Sequence, residues 1–404
     1  MISFIEGGVC SPAGFTAAGL HCGIRKNKTK KDIALVLSDR PAAAAAVYTQ
    51  NLVQGAPILV TKEHLANGQA QAMICNSGIA NTCNADGMAK AHEMCTLTAS
   101  ALGIAPRDVI VASTGVIGQP LPIEPIAAVM PALAAALSPE GGLSAAESIM
   151  TTDTVVKSMA VRWQVGDQTV TIGGMAKGSG MINPNMATML CFLTTDIAVE
   201  PAALKTALKA VADQSFNRVS VDGDTSTNDM LSIMANGVSG VFAPVGSLEY
   251  DQFCQGLAML CVALARLLAK DGEGATKLLE CAVSGAPSIA AANQIADAVI
   301  NSPLVKTAMF GGDANWGRIL CAAGYAGVPL DISRINIWFR SAAGAIQVCS
   351  RGIGLAFSEE QAAEILRRDE IIIDVRLGQG LAAGSAWGCD LSYDYVKING
   401  DYRT

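Results

Sequence analysis

Lys177-Gly178-Ser179-Gly180-Met181-Ile182-Asn183-Pro184-Asn185-Met186-Ala187-Thr188-Met189-Leu190 stands near the middle of a 404-residue chain and runs directly into Cys191-Phe192-Leu193. Glycines let a backbone take positive φ and approach another group closely, and the residue before a proline is pushed toward extended geometry. The stretch therefore reads as a loop held in one shape, delivering Thr188 to the mouth of a buried strand. A hydroxyl at such a junction is either a cap bonded to its own backbone, the commoner case, or a nucleophile.

Working outward, residues 158–165 and 168–173, joined by Gly166-Asp167, read as a hairpin feeding that loop. Further upstream, residues 33–37, 45–48, 57–60 and 71–75 have strand length, 76–81 a polar loop character, and 88–102 a helical one. The strand at 108–112 leads into Ser113-Thr114-Gly115-Val116-Ile117-Gly118, which is either a tight turn or a nest of backbone N–H groups able to meet negative charge. Helical patterns at 123–137 and 145–150 precede Thr151-Thr152-Asp153-Thr154.

Downstream, residues 200–216 form an amphipathic helical pattern with Pro201 in its first turn, and 247–270 a long helix apolar almost all round, expected to be well buried. Glu273, between two glycines, is a C-cap turn residue or a substrate contact. Strands at 277–283, 335–339, 345–349, 371–377 and 384–388 alternate with helices at 287–301 and 358–368 and a loop at 311–318, and the carboxy terminus looks ordered. Strands and helices interleaved throughout imply a layered α/β protein.

Hydrophobic residues make up 51% of the chain and charged ones 16%, so there is ample material for a core, in two domains or one large layered unit. The net charge of −7 argues against a nucleic-acid or anionic-lipid partner, and the basic run at 25–31 reads as a solvated loop. The amino terminus lacks the charged and apolar regions of a signal peptide. The best apolar stretch, 257–269, is too short to span a bilayer and contains Arg266, so a soluble cytoplasmic protein is expected.

Twelve cysteines without a C-x-x-C pair, among them Cys75, Cys191, Cys321 and Cys349 in or beside apolar runs, read as buried free thiols. The polar stretch Asp222-Gly223-Asp224-Thr225-Ser226-Thr227-Asn228-Asp229 loosely resembles a calcium loop, but Thr227 stands where glycine is required and no Glu follows. No metal and no bound cofactor are expected.

The three histidines, His21, His64 and His92, all precede residue 100, and neither a G-x-S-x-G elbow nor a phosphate-binding glycine loop is present. Mechanisms without histidine remain, among them amino-terminal threonine catalysis. A threonine hydroxyl attacks the carbonyl before it, hydrolysis of the resulting ester frees a chain beginning with threonine, and its new α-amino group serves as the base. Ala187 is the small residue such a step needs, and Thr114-Gly115 can supply oxyanion donors.

The central stretch closely resembles the signature of the ornithine acetyltransferase (glutamate N-acetyltransferase) family. The resemblance extends to residues 112–118, Thr151-Thr152-Asp153-Thr154, residues 221–229, 270–277 and 312–318, and the tail from Trp387 to Thr404, essentially the whole chain. It implies a layered α/β fold with sheets between helices, similar to amino-terminal nucleophile proteins but with its own topology. It also implies arginine biosynthesis, by ping-pong transfer of acetyl from N2-acetyl-L-ornithine to L-glutamate through an acetyl-threonine, some members also using acetyl-CoA.

By that match Thr188 is the nucleophile, cleavage falls between Ala187 and Thr188, and residues 1–187 and 188–404 become α and β chains assembled as α2β2. Thr114 and Gly115 match the oxyanion hole. Thr151, Lys177, Thr188, Glu273, Asn399 and Thr404 match the substrate contacts, with Lys177 suited to a carboxylate and Glu273 to the ammonium of ornithine. Asn183 departs from the histidine that many relatives carry there. The rival readings are an autoprocessed aminopeptidase or amidase of the same architecture, and a scaffolding protein without chemistry, in which the chain stays intact.

Overall fold

The structure is a computed structural model that describes residues 1–183 and 189–401. Its first half contains β1 (Ser3–Ile5), β2 (Phe15–Leu20), β3 (Ile33–Tyr48), α1 (Ala56–His64), β4 (Gln69–Ile79), α2 (Gly87–Leu102), β5 (Val109–Val116), α3 (Glu124–Ala135), α4 (Gly142–Ile149), β6 (Lys157–Val165) and β7 (Gln168–Lys177). Then come β8 (Leu190–Thr195), α5 (Pro201–Gln214), β9 (Val219–Ser220), β10 (Met230–Ala235), α6 (Leu248–Lys270), β11 (Leu278–Ala286), α7 (Ile289–Asn301), α8 (Pro303–Gly311) and α9 (Trp316–Gly324). The chain ends with β12 (Asn336–Ser341), β13 (Gly344–Ser350), β14 (Ile353–Gly354), α10 (Glu359–Leu366), β15 (Glu370–Arg376), β16 (Ala382–Cys389) and α11 (Tyr393–Gly400).

Two compact units result: residues 1–178, 184–217 and 225–264 form one, and 179–183, 218–224 and 265–404 the other. The first is built on a mixed sheet ordered β1-β6-β7-β8-β10-β3-β4-β5, with β2 also on β3. β8 lies antiparallel to β7 and parallel to β10, and every one of its residues is buried. A central strand covered on both faces can be apolar throughout, which is why Leu190-Cys191-Phe192-Leu193 shows no alternation.

Alternation governs the neighbours. Ile33, Leu35, Ala72 and Ile74 pack toward α2 and α3, while Ala34, Val36, Met73 and Cys75 pack with α4 on the other face.

The second unit carries the sheet β14-β13-β12-β15-β11-β16-β9. Its apolar face, with Leu279, Cys281, Ile337, Phe339, Ile371 and Ile373, packs under α7 to α10. Its other face carries Asp374 beside Arg340 and Arg376, with the Arg376 guanidinium 4.3 Å from the Trp338 ring centre.

The layered α/β class is as expected, and the 158–173 hairpin and most downstream strands and helices fall where the patterns put them. Several elements differ. Residues 57–60 are not a strand but the first turns of α1, because Pro57 presets φ for a helix start after Gly55. The two strands expected at 33–37 and 45–48 are one, β3, whose register against β4 slips between Leu37 and Ala42, around Pro41, which has no N–H to donate.

The polar loop expected at 76–81 begins only at Ala80, since β4 continues through Ile79 and its polar side chains are bonded within the fold: Asn76 accepts the Ser113 hydroxyl at 2.6 Å. The expected loop at 311–318 contains the end of α8 and the start of α9, whose Asn315 caps the Arg318 N–H. The patterns had marked neither helix.

α6 is long and apolar enough to cross a membrane by length and composition alone. Expected to be well buried, it is buried along one face: Phe253, Leu257, Leu260, Leu264 and Leu268 repeat every three or four residues as a buried stripe, the spacing of a core helix. All twelve cysteines are free, and seven are buried, Cys75, Cys191 and Cys349 among them, whereas Cys321 is exposed. Burial pushes the Cys75 thiol up to about 12, so it behaves as a small apolar side chain.

Candidate active site

In the first unit, β4 and β5 run parallel with Thr114 opposite Ser77 and Gly115 opposite Gly78. Thr114-Gly115 is therefore not part of a tight turn but the end of a strand. Gly115 has φ +131°, and a Cβ there would lie 2.2 Å from the carbonyl carbon of Gly78, so no other residue fits without moving a strand.

Lys177 closes β7. Its Nζ donates to the Thr151 hydroxyl at 2.6 Å and to the Thr114 hydroxyl at 3.4 Å, and the residue is only 8% exposed. Sequence reasoning named these three separately, and the fold brings them together.

Asp153 organises the group. Its Oδ1 accepts Lys157 Nζ at 2.7 Å and the Gly178 N–H at 2.6 Å, its Oδ2 accepts the Thr151 N–H at 2.9 Å, and Lys177 Nζ lies 4.0 Å away. Burial alone would raise the Asp153 pKa, but Lys177, Lys157 and the N–H donors outweigh it and hold the carboxyl well below the usual range. For Lys177 the balance goes the other way: burial lowers its pKa, and Asp153 and Asp229 only partly restore it.

Asp229, at the head of β10, is buried with Oδ2 unpartnered. Burial pushes its pKa far up against the pull of Ser226 and Lys177.

A group whose folded pKa is raised adds stability below its unfolded pKa, about 3.9, and loses it as pH rises through the folded value. Asp229→Asn should therefore gain on the wild type as pH rises above about 4. Denaturant midpoints from acid to neutral pH check this; a constant difference would show that Asp229 ionises normally.

In the second unit, Asn399 on α11 donates to Glu273 Oε2 at 2.7 Å, and the Glu273 N–H is held by the Ser179 carbonyl at 2.8 Å. A Cβ on Gly180 would lie 2.4 Å from the Glu273 carboxyl carbon, so glycine there makes room for the carboxylate. Asp222 accepts the N–H groups of Met181 (2.6 Å) and Ile182 (2.8 Å), and Asn183 donates to the Gly223 carbonyl at 3.1 Å. Asp222 and Asn183 thus tie the first part of the central loop to the polar turn that resembled a calcium site.

Ala187, Thr188 and Thr404 lie outside the described residues. A groove of about 920 Å³ in the first unit, lined by Tyr48, Lys62, Lys205 and Lys209 among others, contains none of the expected site residues that are among the described ones.

Sequence reasoning passed over Asp153 and Lys157 as site residues, although an Asp and a Lys four apart in an otherwise uncharged segment were a visible signal. Gly180, Asp229 and Asn228 left none that could be told from ordinary loop polarity.

The model of the ArgJ family matches residues 16–404. The chain belongs to the ArgJ family. It is 52% identical over 407 residues to the arginine biosynthesis bifunctional protein ArgJ of Symbiobacterium thermophilum, with 100% of each chain covered. It is 46% identical over 403 residues to the protein of the same description from Bacillus subtilis, with 99% of this chain and 97% of that one covered.

Among solved structures, a crystal structure of the arginine biosynthesis bifunctional protein from Bacillus halodurans aligns at 43% identity and TM-score 0.50. That alignment covers 52% of this chain and 97% of that one. An ArgJ chain is an acyltransferase of arginine biosynthesis, and the expected enzyme class, glutamate N-acetyltransferase, stands.

Proposed function

We propose that this ArgJ chain is a cytoplasmic enzyme that cleaves itself between Ala187 and Thr188 and then carries acetyl on Thr188 from N2-acetyl-L-ornithine to L-glutamate. Thr188 Oγ attacks the acetyl carbonyl with its own α-amino group as base, ornithine leaves with the proton, and glutamate's amino group takes the acetyl in the second half. Thr114 and the Gly115 N–H meet the oxyanion, Lys177 and Thr151 the amino-acid carboxylate, and Glu273 and Asn399, with Thr404, the side chain. The relatives' description as bifunctional supports acetyl-CoA as a second donor.

The observation that carries this reading is the buried Lys177 ammonium donating to both the Thr151 and Thr114 hydroxyls. Accepting from Lys177 leaves each hydroxyl its own proton to donate, so a cation and two O–H donors converge without a histidine. Support for cleavage comes from the Bacillus halodurans relative, whose chain is 97% covered by about half of this one.

The products, residues 1–187 and 188–404, would share the first unit's sheet, since β8 pairs with β7 and β10 with β3. They should stay together, as an α2β2 assembly requires.

On a denaturing gel the wild type should give two pieces of similar size, the second beginning Thr-Met-Leu-Cys, which co-elute under native conditions, while Thr188→Ala stays full length and inactive. The cleaved protein should transfer acetyl from acetylornithine to glutamate faster than it releases acetate. Intact, active wild type would exclude the mechanism, and acetate release dominating transfer would favour a hydrolase.

A further inference from the structure

The stretch Thr227-Asn228-Asp229 holds no role in the mechanism above, yet Asn228 is buried with its whole side-chain bonding capacity used. Its Nδ2 donates to the carbonyls of Ala80 (2.6 Å) and Ser113 (2.9 Å), and its Oδ1 accepts the hydroxyls of Thr82 (2.5 Å) and Thr227 (2.6 Å). Two donors and two acceptor sites are all an amide side chain has.

Where those bonds go matters more than their number. The Ser113 carbonyl shares a rigid peptide plane with the Thr114 nitrogen, so anchoring that oxygen fixes the plane from which Thr114 hangs. On the far side of Gly115, the Val116 carbonyl accepts the Ala80 N–H at 3.0 Å. Ala80 is itself held by Asn228, so a closed ring runs from Asn228 through Ser113, Thr114, Gly115, Val116 and Ala80 back to Asn228.

We infer that Asn228 is the positioning residue for the Thr114-Gly115 oxyanion donors, clamping the short segment between Ser113 and Val116 from both ends. The inference rests on the proposed role of Thr114. A clamp of this kind acts on the acyl transition state and not on substrate affinity: oxyanion donors work only when pre-aimed at the oxygen's final position, and displacements near 1 Å can cost about 100-fold. Asn228→Asp keeps the shape but exchanges two donors for acceptors facing the Ala80 and Ser113 carbonyls.

In self-cleaved protein, Asn228→Asp should lower kcat for acetyl transfer roughly 10- to 100-fold with KM for acetylornithine and glutamate within about twofold. The same exchange in a Thr114→Val background should cost less than about threefold more, because the donor it aims is already gone. Thr82→Val, which removes one donor to Oδ1, should show the same pattern at a few-fold loss and serves if Asn228→Asp does not fold.

Additive losses in the double variant, or a rise in KM at unchanged kcat, would overturn the inference while leaving the oxyanion role in place. An inconsequential Thr114→Val would overturn both.

Discussion

Asp153→Ala should cost about 3–5 kcal/mol of folding stability, the loss seen when one partner of a buried ion pair is removed. The side chains of Asp153 and Lys157 are both fully buried and 2.7 Å apart, and Lys177 lies 4.0 Å from the same carboxylate. Without Asp153, the buried Lys157 and Lys177 ammonium groups lose the carboxylate they share, and the N–H groups of Gly178 and Thr151 lose their acceptor.

Against a total of about 5–15 kcal/mol, a loss of that size leaves the protein marginal at ordinary temperature. Asp153→Asn combined with Lys157→Met should recover part of it, because the penalty is the uncompensated charge and not the missing attraction. Urea midpoints of the wild type and the two variants measure this, and a loss below about 1 kcal/mol for Asp153→Ala would place the pair among weakly contributing surface bridges.

The acid behaviour follows with the opposite sign to Asp229. A depressed carboxyl contributes its stability above the unfolded pKa of about 3.9 and gives it up as pH falls from there toward the folded value. The gap between wild type and Asp153→Ala should therefore be constant from neutral pH down to about 4 and close only below it.

The contrast between Asp153 and Thr114 shows how far the sequence could be read. Thr114, Thr151, Lys177, Glu273 and Asn399 carry the family's motif, and reading them needed no three-dimensional knowledge. Neither Asp153 as a hub nor Asn228 as a clamp could be read that way, because what they do depends on which backbone atoms a buried side chain meets. Those partners come from β5 and from the turns after β4 and β7, far off in the chain.

Two individual elements were misread for the same kind of reason, although the α/β class was not. Residues 57–60 look like a short apolar strand, and only packing distinguishes that from a buried helix start. Residues 76–79 are polar enough for a loop, and only their pairing with β5, a partner far off in the chain, makes them strand. Where apolar periodicity is strong, as in the 158–173 hairpin, the local pattern was enough.

Glu273→Gln should lower kcat/KM for acetylornithine roughly 10- to 100-fold, the value of about 1.5–3 kcal/mol for a hydrogen bond to a charged group, and leave kcat/KM for glutamate nearly unchanged. In a ping-pong reaction each kcat/KM reports its own half, and only ornithine brings a side-chain ammonium for Glu273 to meet. Lys177→Met is the control: both substrates carry a carboxylate, so both values should fall together.

Gly180→Ala provides a second route to the same result without touching the carboxylate's charge. Its methyl group would lie 2.4 Å from the Glu273 carboxyl carbon and 2.6 Å from Oε1, so the carboxylate must swing away, and with it the 2.7 Å bond from Asn399. The displaced atoms are the end of a flexible side chain, so folding stability should change little while acetylornithine use falls as in Glu273→Gln.

If the ammonium is what Glu273 recognises, the two variants share one substrate profile although one alters charge and the other only position. Equal losses for both substrates in Glu273→Gln would remove Glu273 from ornithine recognition and leave it as the anchor of α11 through Asn399.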